Sequence, residues 1–146
     1  NNFINNMRTV RGSRVIERDD RKLYHKVIEY LNEGQTMAIL VDLRSATPAL
    51  EAQFLGKPAN IATGVGRMAR QANAIVLPCA VLRHGWTKHE WKALDPIYPD
   101  PDLSKKEDGN RITQLALDQL SEQILKRPDL FFWFNKRWVL QPIDKE

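Results

Sequence analysis

Residues 37–84 read MAILVDLRSATPALEAQFLGKPANIATGVGRMARQANAIVLPCAVLRH. Two apolar runs stand in this stretch, Met37–Val41 and Ile75–Leu82, each of a length that one strand takes up. Met37–Val41 is apolar at every position. A strand covered on both faces reads this way, as in a parallel sheet with helices on each side. Asp42 ends the run and Arg44 follows two residues on. In an open α/β sheet that strand end is where ligands sit. Asp42, Arg44 and the loop running to Lys57 therefore mark the expected ligand side. The expected fold class is α/β, with a mostly parallel sheet flanked by helices.

Between the two runs, residues 43–60 hold Pro48, Gly56 and Pro58 and no sustained period. They read as a long loop with a helical turn inside residues 49–54. A helix follows, capped by Asn60 or Thr63 and ending near Asn73. Its apolar stripe is Ile61, Val65, Met68 and Ala72, and Ala62, Gly64, Gly66 and Ala69 make it slim. Each glycine costs a helix about 1 kcal/mol against alanine, so a close approach, here to the sheet, is expected. GVGRMA is not a dinucleotide fingerprint, because its glycines follow a loop and no third glycine comes after. Pro78 cannot donate to a ladder, which puts the second run at a strand end, an edge or a bulge. Residues 88–95 alternate, with His89, Trp91 and Ala93 on one face. They suit an antiparallel strand open to water on one side, with His84–Thr87 as the turn.

The flanks carry further signals. Arg8, Arg11, Arg14 and Arg18 crowd into residues 7–18. Such a cluster either grips phosphates through bidentate hydrogen bonds or lines a solvated edge. Ser13–Glu17 suits a strand. Asp19 and Asp20 suit the N-cap of a helix with Leu23, Tyr24, Val27, Ile28 and Leu31 on one face, stopped by Gly34. His25 falls off that stripe and reads as a surface residue. After a loop at residues 96–109, Asn110 is the expected cap of a helix through Lys126. Its spine is Ile112, Ala116, Leu120 and Ile124, joined by Leu115 and Leu117. Pro128 ends that helix or opens a short one. In PDLFFWFNKRWVLQP, residues 128–142, Phe131, Phe134 and Trp138 fall at helical spacing. The segment fits a helix docked on the core, or a membrane-interface foot beside Lys136 and Arg137.

The 146 residues, with 42% apolar content, suffice for one domain spanning 1–146 and are too apolar for disorder. A net charge of +4 favours an anionic partner: nucleic acid, phosphorylated glycolipid or anionic bilayer. The lone Cys79 sits in an apolar run and points to a reducing compartment. No run is long enough to span a membrane. The opening NNFINN, without an initiator Met, reads as the start of a piece cut from something longer. There is no GxSxG, P-loop or CxxC. His84, His89 and Glu90 match no zinc spacing and are better explained by strand alternation. No metal and no cofactor are expected.

One order of features goes further. Asp42 in AILVDLRS, GKPA at Gly56–Ala59, the slim helix TGVGRMAR, then AIVLPCAVLRH and FFWFNKRW together resemble the C-terminal half of the late acyltransferases of lipid A biosynthesis. These lauroyl and myristoyl transferases lie within the lysophospholipid/glycerol-3-phosphate acyltransferase superfamily. In that family a segment like R-x-x-G-x-x-I precedes a helix, which Arg11–Ile16 and the helix after Asp20 resemble. The family's tail resembles P-x-x-(W/F)-x-W-x-x-(K/R)-R-W, answered by Pro128, Phe131 or Phe132, Trp133, Lys136, Arg137 and Trp138.

The resemblance implies a glycerolphosphate-acyltransferase-like fold lacking its N-terminal catalytic part. It implies an acyl-carrier-protein thioester as donor and an anionic phospho(glyco)lipid as acceptor. It also implies a membrane surface at the cytoplasmic face of the bacterial inner membrane as the place of work, the chain alone being soluble. Asp42 and Arg44 resemble the superfamily's acidic/arginine element, which helps to hold the acceptor. Arg8, Arg11 and Arg44 are the expected phosphate contacts, with Lys57 beside them. AspLeuArgSer stands where the phospholipid branch has E-G-T-R and many lipid A enzymes have D-Q, which leaves the acceptor open. The family's base is a histidine with Asp or Glu five positions on. Here those positions hold Tyr30, His89 and Leu94, after His25, His84 and His89 respectively. A C-terminal fragment, inactive by itself and without catalytic residues, is therefore expected. The alternatives are a non-catalytic binding domain of the same fold and a basic nucleic-acid-binding domain. Against the latter, the aromatics crowd the C-terminal segment and not the basic stretch.

Overall fold

Leu55 and Gly56 both take positive φ, +53° and +75°. A two-residue turn with that geometry matches the right-handed twist of two antiparallel strands and folds the chain straight back on itself. Within the long loop expected at residues 43–60, residues 50–60 therefore belong to a hairpin, and its first strand takes up residues 50–54 of the expected helical turn. The computed structural model describes residues 2–10, 12–17, 21–45 and 50–133, without the side chains of residues 2–4 and 51. The chain forms two compact units, Asn1–Thr36 and Met37–Glu146.

In the first unit, α1 is Asn2–Thr9 and α2 is Leu23–Asn32. Val27 is the buried anchor of α2, and Gly34 follows the helix at φ +78°. The Arg14 guanidinium lies 5.3 Å over the Tyr30 ring, a cation–π contact. Ser13–Glu17 is irregular and not a strand. Lys22 occupies the N-cap position of α2, and the expected caps Asp19 and Asp20 lie outside the described residues.

In the second unit, β1 is Leu50–Phe54 and β2 is Lys57–Ile61, paired antiparallel from Phe54↔Lys57 to Leu50↔Ile61. Ala52, Phe54, Ala59 and Ile61 point into a core that Leu117 completes. This is the period of two of a half-buried sheet. Pro58 faces Gln53 one step beyond the turn-closing pair. There its missing N–H points away from β1 and weakens no ladder bond.

Next, α3 is Gly64–Ala72, ended by Asn73 in the left-handed region. β3, Cys79–His84, and β4, Lys88–Ala93, form a second antiparallel pair joined through Gly85–Thr87. The long α4, Lys105–Lys126, follows, and a short 3-10 turn, Pro128–Leu130, begins at the proline. The cap of α4 is Ser104 and not Asn110. Ser104 accepts from the Glu107 N–H, and the Glu107 carboxylate accepts from the Ser104 N–H. The Ser104 hydroxyl, with its N–H, holds the Glu107 carboxyl below its usual range.

The slim helix does make a close approach, but to α4 and not to a sheet. A Cβ on Gly66 would fall 1.8 Å from the Gly109 carbonyl oxygen. The two helices touch backbone to backbone, and Ala69, Ile112, Ala116 and Ile97 fill the layer beside the crossing. From this position α4 holds the edge of β1 with side-chain amides. Gln114 accepts from the Gln53 N–H at 2.9 Å and donates to its carbonyl at 2.9 Å. Gln119 grips Asp95 in the same way, at 2.9 and 3.0 Å.

The expectation of a mostly parallel sheet is overturned. The described residues hold two separate two-stranded antiparallel sheets beside helices. Parallel strands need a long crossover between them, whereas both pairs here are closed by short turns. Met37–Val41 takes no regular secondary structure, no strand pairs with it among the described residues, and Ile39 and Leu40 are 48% and 72% exposed. The run Ile75–Leu82 is divided at Pro78. Val76 bridges Ile97, and β3 starts only at Cys79. The aromatic tail begins on the core, with Phe131 edge-on to Phe54 at 6.4 Å. Phe134 and Trp138 lie outside the described residues.

Gly66→Ala should lower stability by about 3 kcal/mol in urea unfolding, the overpacking cost where backbone has to move. Gly109→Ala should cost less, about 1 kcal/mol, because α3 has to give by only a few tenths of an ångström. Its Cβ would press on the α3 backbone at 3.3 Å, and the gain of about 1 kcal/mol in helix propensity offsets part of that strain. Ser104→Ala should cost about 1 kcal/mol, the usual loss of an N-cap.

Candidate functional site

Val41 packs against the hairpin core, which pins the chain immediately before Asp42. A bend at residues 42–43 then turns the backbone along the outer edge of β2. Arg44 forms an antiparallel bridge with Ile61. The Ser45 N–H donates to the Asn60 carbonyl at 2.9 Å, and the Asn60 side-chain amide donates to the Ser45 carbonyl at 3.4 Å. Asp42 and Arg44 are thereby held, half-buried, at the Ile61 end of the hairpin. Among the described residues neither side chain is engaged in an ion pair.

The other expected site residues lie elsewhere. Lys57 is exposed at the opposite end of β2, four strand steps or roughly 13 Å from Ile61. Arg8 is exposed in the last turn of α1, in the first unit. Arg11 lies outside the described residues. The structure therefore brings together Asp42 and Arg44 and leaves Lys57 at the far end of the hairpin.

A charged cluster joins the expected loop at residues 96–109 to the two helices on either side of it. Asp108, in the first turn of α4, is fully buried. It accepts from the Arg111 Nε at 2.9 Å and from the Asp100 N–H at 2.9 Å, and pairs with Arg111 Nη2 at 2.6 Å. Arg70 of α3 brings its Nε to 3.2 Å from Asp108 Oδ2. That approach is too poorly aligned for a hydrogen bond, so it acts through charge. Arg111 also donates to the Tyr98 carbonyl at 2.6 Å, and Arg70 to that of Pro101 at 3.4 Å. These contacts end on the protein's own backbone or carboxylate. The cluster ties α3, α4 and residues 98–101 together and is structural. The i, i+3 spacing of Asp108 and Arg111 is the signal for it in the sequence.

His84 Nε2 lies 2.8 Å from Glu90 Oε2 on one face of the β3–β4 pair, so strand alternation accounts for them. Among the described residues no three His, Cys, Asp or Glu side chains are grouped to hold a metal ion. Cys79 is half-buried.

The model of the bacterial lipid A biosynthesis acyltransferase family matches residues 1–139. The chain belongs to that family. No curated protein matches it. Membership carries with it a lipid A acyltransferase-type function, with an acyl donor and a lipid acceptor as the substrates in general. In this member of the lipid A acyltransferase family, the bend at Asp42 and Arg44 is a half-buried charged group that lies outside the structural cluster. An arginine presents five N–H donors in a planar fork matched to phosphate oxygens, and a neighbouring carboxylate accepts from hydroxyls. Among the described residues no helix is long and apolar enough to cross a membrane.

Asp108→Asn should lower stability by about 3 kcal/mol in thermal or urea unfolding, because it strips charge compensation from two partly buried arginines. The variant should retain the lipid affinity of the parent when measured under folding conditions.

Proposed function

We propose that this chain forms the acceptor-side wall of an enzyme that moves a fatty acyl chain from an acyl-carrier-protein thioester to a hydroxyl or hydroxyacyl group of a lipid A precursor or related phospho(glyco)lipid. The observation that supports it is the pinned bend on the edge of β2. It offers Asp42 and Arg44 half-buried and without ion-pair partners among the described residues, in a chain of the lipid A acyltransferase family. In the reaction the acceptor oxygen attacks the thioester carbonyl carbon. A C–O bond forms, the C–S bond breaks, and the hydroxyl proton leaves with the carrier's thiol. Arg44 holds an acceptor phosphate by bidentate hydrogen bonds. Asp42 accepts from a sugar hydroxyl and keeps the acceptor oriented. Lys57 is an outlying cation on the same hairpin, and Arg8 and Arg11 belong to the first unit and add to the net positive charge of the chain.

The general base is not among the residues assigned here. No histidine of the 146 residues has Asp or Glu five positions on. The role read for this chain is therefore acceptor binding. The net charge of +4 suits an acidic carrier protein and an anionic lipid alike. On this reading the work is done at the cytoplasmic face of the inner membrane, where such a donor meets a lipid acceptor.

Binding of a bisphosphorylated glucosamine lipid in neutral detergent micelles tests the proposal. Arg44→Ala should weaken it about tenfold, or ~1.4 kcal/mol, and Asp42→Ala by a smaller factor, with the far-UV spectrum unchanged. Wild-type affinity in both variants would remove this bend from the site.

A further inference from the structure

The β3–β4 pair carries a surface that the acceptor site does not use. Its register sets Cys79, Val81 and Arg83 across from Ala93, Trp91 and His89 on one face. On the other face, Ala80 and Leu82 are half-buried and Lys92 donates to Gln123 of α4 at 3.2 Å. That second face is the one turned to the helix. The first face is open, with Val81 62% and Trp91 74% exposed. At the turn between the strands Trp86 is 93% exposed, beside Gly85 at φ +75° with nothing within 4 Å of where a Cβ would sit.

Single exposed apolar residues are ordinary. Two tryptophans and a valine on one two-stranded blade mark a contact surface. Its charge selects the partner. Arg83 and His89 are exposed on the open face, to which neither strand brings a carboxylate, and Lys88 lies on the other face with His84. Glu90 is on the opposite face, 2.8 Å from His84. The field of Arg83 reaches Asp129, but Arg127 already holds that carboxylate through hydrogen bonds of 2.9 and 2.8 Å. A second copy of this blade would bring like charges together. A surface of lipid phosphates would accept both the cations and the indoles, whose amphipathic rings favour the headgroup level.

We propose that the β3–β4 hairpin is a docking element for an anionic bilayer, with Trp86 and Trp91 entering the headgroup region and Arg83 meeting lipid phosphates. The inference deepens the reading of a lipid acyltransferase by naming how the chain meets its membrane. It rests on that reading for context only, since it uses neither Asp42 nor Arg44.

The test is co-sedimentation of the whole chain with phosphatidylcholine vesicles prepared with and without phosphatidylglycerol. Binding should require phosphatidylglycerol and weaken as salt rises, because surface charge attraction is screened. Trp86→Ser and Arg83→Glu should each reduce partitioning about tenfold, while Leu125→Ser, at an exposed position of α4, leaves it unchanged. Wild-type partitioning by Trp86→Ser would overturn the proposal. So would loss of binding on Trp133→Ser alone, which would shift the contact to the C-terminal aromatics. Absence of vesicle binding together with a concentration-dependent dimer would assign the blade to a second copy and overturn it as well. None of these outcomes bears on whether Arg44 binds the acceptor.

Discussion

Everything in the larger unit depends on two helices being able to touch at their backbones. Gly66 and Gly109 remove the side chains that would otherwise hold α3 and α4 apart. The close crossing sets the axis of α4, and the axis sets the reach of each side chain along it. Asp108 meets Arg70 at one end, Gln114 and Gln119 clasp strand backbone in the middle, and Ser121 accepts from the Leu55 N–H at 3.2 Å further on. Leu117 closes the hairpin core from the same helix. Isolated two-stranded hairpins are marginal in water. Here each is made stable by a helix whose own position is fixed by a pair of glycines.

Legibility of the fold followed local chemistry. The alternation of residues 88–95 and the break at Pro78 identify β3 and β4 because a period of two and a missing N–H are purely local signals. The small residues of α3 announce a close contact for the same reason, although they do not say with what. The β1–β2 hairpin is hidden. Pro48, Gly56 and Pro58 look like loop punctuation, and the positive φ of Leu55 belongs to a residue type that seldom adopts it. The parallel sheet inferred from Met37–Val41 fails because a continuous apolar run says that a segment is fit for burial and not which neighbour buries it. Ser104 and Glu107 form a legible capping box, and Asn110, three residues beyond, competes with it in the sequence as a plausible start.

The candidate site was legible in part. Asp42 and Arg44 stand out because a charged pair directly after an apolar run marks a strand end, and the bend that holds them keeps both half-buried. The hairpin carries Lys57 along β2 away from Ile61 and so separates it from that pair. The buried Asp108 cluster shows the opposite failure. Its residues come from three segments, and only Asp108 and Arg111 are near neighbours in sequence. Family membership and geometry contribute separately: the first supplies the class of chemistry, the second a charged bend not consumed by internal pairing.

The two edges of the β1–β2 hairpin have a consequence for the life of the protein in a crowded cell. An unpaired strand edge is a template on which another chain can add a strand and begin an aggregate. On β1 the Gln53 N–H and carbonyl are occupied by Gln114, and on β2 the backbone beside Asn60 is occupied by Ser45. The contacts that position the helix and the charged bend thus also close the hairpin to strand addition. Loosening of α4 would expose a strand able to recruit others as well as disturb a binding surface.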